Sequence, residues 1–146
     1  MFKTTMMAAM LLAGPAMAEV HMKPSPKTVD ETMTALMAAV TGAGATVFAV
    51  VDHEAGGADA GFDLPEAQLL IFGNPALGSQ AIADDTTAGL VLPLRVEVMA
   101  DAAGATQVVW ADTAPLFEAL EIPEDAPYRA QIDAALEKLT DAAVAD

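Results

Sequence analysis

The sequence predicts an α+β fold, a small and mostly antiparallel sheet with helices packed on one face. The order of hydrophobic periods carries this: helix, strand, strand, hairpin, helix, helix, with none of the sustained strand–helix–strand alternation of a parallel sheet. The hairpin is the clearest piece. Leu92, Leu94, Val96 and Val98 alternate with Pro93, Arg95, Glu97 and Met99, the Asp101-Ala102-Ala103-Gly104 turn follows, and residues 106–110 return. A chain of 146 residues has the length of one domain with one core.

Each element has its own signal. Residues 19–25 read as a short polar lead ending in Ser25-Pro26. Ser25 can cap with Pro26 at the first helical position, or Thr28 and Glu31 can form a capping box. Val29, Met33, Leu36, Met37 and Val40 then repeat at helical spacing, predicting a helix over 28–41 that Gly42 and Gly44 stop. Residues 45–51 are apolar and β-branched, which predicts a buried strand. Asp52-His53-Glu54 ends it, and 55–61 read as a small, flexible loop. A second short strand spans 69–72, stopped by Gly73-Asn74-Pro75, and a short helix is expected within 76–86. After the hairpin, Thr113 and Pro115 open a short helix with Leu116, Phe117 and Leu120 inward. Pro127 starts the last helix, whose Tyr128, Ile132, Leu136 and Leu139 share one face.

Charge and composition exclude several functions. Six Lys and Arg stand against 21 Asp and Glu, a formal net charge of −15. Phosphates are repelled by such a surface, so no nucleic-acid partner is expected, and docking on anionic lipid is disfavoured too. The absence of Cys removes disulfides, thiol nucleophiles, iron–sulfur clusters and Cys-type zinc sites. No G-x-S-x-G, G-x-x-x-x-G-K-[ST], H-E-x-x-H or G-x-G-x-x-G pattern occurs.

The first 18 residues read as a secretory signal peptide. Lys3 is the positive start, residues 6–17 are apolar but for Gly14-Pro15, and Ala16-Met17-Ala18 is a small-x-small cleavage signal. The stretch is too short for a membrane span. The expected domain is then 19–146, periplasmic or secreted, with no membrane association after cleavage. Losing Lys3 leaves it one unit more negative than the full chain.

Several matching pieces run through the chain: Glu31-Thr32 in the first helix, Asp52-His53 closing the first strand, Leu70-Ile71-Phe72-Gly73-Asn74-Pro75 followed by Gly78, and Leu92-Pro93-Leu94 entering the hairpin. With these the stretch over about 28–112 resembles the bacterial domain of unknown function 302 family. The resemblance implies an α+β domain of the TATA-binding-protein-like class, a homodimer in many members, and no established biochemical activity. This sequence departs from the family pattern at Val91, where Asp is common, and at Trp110-Ala111-Asp112-Thr113, which replaces Tyr-Asn-Asp-Pro.

The five cations left after the expected cleavage and the two histidines supply the candidate chemistry. His53, between two acids at a strand end, is placed for a general base or a metal ligand, or else it fixes the loop that follows. Phe72, Gly73, Asn74 and Gly78 form a strand-to-helix turn whose amides can cradle an anion or serve only the turn. With His53 they are expected to line any pocket. Arg95 either pairs with Glu97 on its own strand face or binds a small carboxylate or an acid of a partner subunit. Cleavage after Ala18 also places His21 third from a free amine. The amine of Glu19, the amides of Val20 and His21, and the imidazole would then offer four coplanar nitrogens, a set suited to Cu(II), with Met22 following. The reading is therefore an exported binding or assembly module for a small ligand. Its alternatives are a small enzyme using His53 with the Asn74 turn, and a periplasmic copper-handling protein. A homodimer is expected from the resemblance and from the edges that a small sheet leaves exposed.

Overall fold

The computed structural model describes residues 19–146. The expected leader over 1–18 and its cleavage signal lie outside the described residues.

Thr28 and Glu31 set the first helix. Thr28 stands in extended geometry, its hydroxyl accepts from the Glu31 amide, and the Glu31 carboxylate accepts from the Thr28 amide at 3.0 Å. This reciprocal cap starts α1 (Val29–Gly42), which buries Val29, Met33, Leu36 and Val40 on one stripe.

The strands are β1 (Val20–Pro24), β2 (Thr46–Asp52), β3 (Ala67–Gly73), β4 (Leu94–Ala100) and β5 (Thr106–Ala111). They form one sheet in the order β1-β5-β4-β3-β2, antiparallel throughout. The α+β class is as the sequence predicts. The helices between and after the strands are α2 (His53–Asp59), α3 (Pro75–Asp84), a 3₁₀ turn (Thr86–Leu90), α4 (Ala114–Glu118) and α5 (Pro127–Val144).

Four local readings change. Residues 45–51 are not a buried strand: β2 is the sheet's edge strand at the opposite side from β1, and all its residues but Val47 are exposed. Residues 19–25 do not form a polar lead: they pair with β5 as an edge strand, His21 opposite Trp110 and Lys23 opposite Val108. Residues 55–61 are not a plain loop, because Asp52 accepts from the Ala55 amide at 2.9 Å and caps α2 despite Gly56-Gly57. The hairpin strand starts at Leu94, leaving Leu92 and Pro93 outside the ladder, where proline has no amide to donate.

Alternation then decides the core. Leu70, Phe72, Val96, Val98, Val108 and Trp110 face the stripe of α1 and Ile132, Leu136 and Leu139 of α5. Each such side chain contributes about 1.5–3 kcal/mol on full burial, so this face holds the molecule together. The intervening residues Leu69, Ile71, Glu97 and Val109 are half-buried on the other face. Buried hydroxyls are answered: Thr32 bonds Ser25 at 2.7 Å, and Thr140 accepts from Lys23 at 3.1 Å. Among the described residues, no buried side-chain nitrogen or oxygen lacks a partner.

Candidate functional site

The turn at Asn74 builds one wall of a cavity. Asn74 precedes Pro75 and is therefore held extended, with φ −109° and ψ 110°. Its Oδ1 accepts from the Ala76 amide at 2.9 Å, and its carbonyl accepts from Leu77 and Gly78. The strand thus ends and α3 begins within two residues. These bonds engage the amides that could have cradled an anion, so the turn is a structural device.

Between this turn, the Leu92-Pro93 segment and α5 lies a cavity of about 510 Å³. Phe72, Leu77, Ile82, Leu92, Pro93 and Leu139 supply most of its apolar wall. Phe48 closes a further side. It sits at the irregularity where β2 slips against β3, between Val47 and Ala49. Its ring packs over Gly73, 3.4 Å from where a side chain there would begin, an ordinary contact distance. Among the described residues, Lys138 is the single charged one of the lining, and Asn74 and Ser79 are the other polar ones.

Of the candidates, Phe72, Gly73, Asn74 and Gly78 come together on this cavity. His53 does not. It is exposed at the start of α2, at the end of β2 where Asp52 pairs with Gln68, whereas the cavity lies at the Thr46–Gly73 end. Six residues of strand separate the two ends, roughly 20 Å. His53 makes no side-chain hydrogen bond among the described residues, so no second titratable group is hydrogen-bonded to it. Arg95 pairs with Ile71 in the ladder and is exposed away from the core. It forms no ion pair with Glu97, since the described ion pairs are those of His21 and Lys23.

His21 lies on the helix-covered face near the other sheet edge. Its Nε2 is 2.6 Å from the Asp112 carboxylate, and its ring stacks on Trp110 with centroids 5.2 Å apart. The hydrogen bond to Asp112 raises its pKa above the ordinary 6.5, with burial opposing. The Glu19 carbonyl accepts from Asp112 and the Ser25 amide donates to Thr106. Alternation therefore commits the His21 amide to the β5 ladder. A four-nitrogen Cu(II) set would compete with that pairing. Among the described residues no group of three or more His, Asp or Glu is gathered to hold a metal.

Phe48, Ile82 and Lys138 were not singled out by sequence. A strand bulge and a loop–helix junction create their cavity, and neither leaves a periodic signal.

Fold and site together define a sheet-and-helix module with an apolar cavity at one sheet end. The chain belongs to the DUF302 family, a domain of unknown function whose model matches residues 21–143. The fold is similar to the crystal structure of an uncharacterized conserved DUF302 protein from Bacillus stearothermophilus, with TM-score 0.69 and 18% identity over 86% of this chain and 94% of that one. The chain is also 36% identical over 107 residues to proteins named fluoride-specific ion channel FluC 1. The one from Brucella suis biovar 1 (strain 1330) matches 72% of this chain and 42% of its own length. The one from Brucella abortus biovar 1 (strain 9-941) matches 72% of this chain and 40% of its own length. The chain thus spans about two-fifths of the length of these curated relatives.

Proposed function

We propose that this chain is a binding module that holds a small apolar molecule between α3, α5 and the Gly73 end of the sheet. The cavity carries this reading. About 510 Å³ falls within the roughly 300–1,000 Å³ of small-molecule sites, and such sites pair an apolar wall with a few polar groups. Each methylene moved from water into such a wall contributes about 0.8 kcal/mol, set against several kcal/mol of lost freedom on association. A ligand with a substantial apolar body is therefore needed. A catalytic reading lacks support, because His53 stands at the other end of β2 from the cavity. The test is a titration with decan-1-ol followed by methyl NMR. Saturable shifts confined to the methyls of Leu77, Ile82, Leu92 and Leu139 are expected; shifts spread over the molecule, or none, would refute the reading.

The relatives named as channels favour a second reading, in which the chain serves as an accessory module to a membrane protein. No helix among the described residues is long and apolar enough to cross a membrane. Cross-linking in intact cells should then capture an integral membrane protein on this chain. Capture of none would contradict this reading.

A further inference from the structure

The cavity has one charged residue on its lining, and its surroundings leave that charge unanswered. Lys138 is exposed on α5, which places it at the mouth of the cavity. Two acids of the same helix stand near it in sequence, Glu137 and Asp141. Both are engaged elsewhere: each places a carboxylate oxygen 2.7 Å from Lys23 Nζ, and Thr140 joins them at 3.1 Å. No carboxylate lies within ion-pair distance of Lys138 among the described residues, and no acid lines the cavity. Among the described lysines and arginines only Lys23 is in an ion pair, and of the others Lys138 is the one that lines the cavity.

We infer that the cavity takes a small amphipathic acid, its apolar body within the wall and its anionic end at Lys138. This rests on the cavity being a binding site. Among the other polar groups of the lining, the Asn74 Oδ1 accepts from the Ala76 amide and the amides of Leu77 and Gly78 donate to the Asn74 carbonyl, which leaves the Asn74 Nδ2 and the Ser79 hydroxyl as neutral donors beside the charged lysine. The net charge of −15 opposes an approaching anion at long range. At physiological ionic strength that field is screened over about 8 Å, so the contact charge at the mouth decides the preference. A flexible ammonium on a four-carbon stem suits an end group whose exact position is not fixed by a bidentate fork.

The experiment compares decanoate with decan-1-ol, which share a chain and differ in the end group, by calorimetric titration of the wild-type chain, Lys138→Met and Lys138→Arg. Decanoate is expected to bind about tenfold tighter than the alcohol in the wild type and in Lys138→Arg, the size of one charge-assisted hydrogen bond. Lys138→Met is expected to bind decanoate no more tightly than decan-1-ol. Equal binding by the wild type, or a preference that survives in Lys138→Met, would overturn the anionic end group and leave the apolar cavity standing. Failure of both ligands to bind the wild type would overturn the cavity reading with it.

Discussion

The His21 imidazole meets the Asp112 carboxylate at 2.6 Å while its ring lies on Trp110 at an interplanar angle of 22°. Lys23, two residues on, places its ammonium 4.9 Å from the same indole and bonds Glu137 and Asp141 of α5. One edge strand is thereby fixed to the sheet and to the last helix. Burial opposes the charge on Lys23, and the bonds to Asp141 and Glu137 outweigh it, raising its pKa.

This geometry predicts a pH dependence. Because the folded pKa of His21 lies above its ordinary value, the stabilisation is fully present below about pH 6.5. It is lost as pH rises through the folded pKa. The pair is partly exposed, so the effect should stay below about 1 kcal/mol. Urea midpoints at pH 5.5 and 8.5 should differ in the wild type, and His21→Gln should remove that part of the difference. An unchanged pH profile in the variant would show that Asp112 does not select the imidazolium.

Tyr128 joins α5 to α3, donating to Asp84 at 2.8 Å. Burial and this bond push its hydroxyl pKa up to about 12. Tyr128→Phe keeps the packed ring and loses the bond. Asp84 is exposed and regains water, so the cost should be about 0.5–1.5 kcal/mol by chemical denaturation. A neutral substitution would mean the two helices are held by packing alone.

The glycine pair in α2 offers an internal comparison. A side chain on Gly56 meets nothing within 4 Å, whereas one on Gly57 would meet Leu64 Cδ1 at 2.5 Å. Gly56→Ala should stabilise by roughly 0.5–1 kcal/mol from helix propensity. Gly57→Ala should lose that gain and cost up to about 2 kcal/mol as Leu64 is displaced. Equal thermal shifts in the two variants would show that Leu64 does not pack on Gly57.

The elements with strong local chemistry were legible in the sequence. The Thr28–Glu31 cap, the alternation from Leu94 to Val98 and the Asn74-Pro75 turn appear in the structure within a residue or two of their expected places. What was missed depends on partners distant in sequence. β1 is a strand because β5 lies beside it across some 90 residues, and Val20 to Pro24 carry little strand signal alone. α2 forms in spite of two consecutive glycines because Asp52 caps it and Leu64 packs on Gly57. The Asn74 turn was visible as a turn, but its cavity needs Phe48 from a bulge and Lys138 from the last helix. His53 drew notice through its charged neighbours, which say nothing about the end of the sheet where a pocket forms.

Gly78 gives the most direct test of the cavity as a binding site. Its backbone is helical, and a new Cβ would meet only Leu92 Cδ1, at the ordinary distance of 3.8 Å. Gly78→Leu should therefore fold at least as well as the wild type, gaining roughly 0.5–1 kcal/mol of helix stability, while its side chain occupies the cavity. The measurement is calorimetric titration of decan-1-ol into both proteins, with Tm recorded for each. The account predicts one molecule bound per wild-type chain and affinity at least about tenfold weaker in Gly78→Leu at an equal or higher Tm. Equal binding by the two proteins, or none by the wild type, would contradict it.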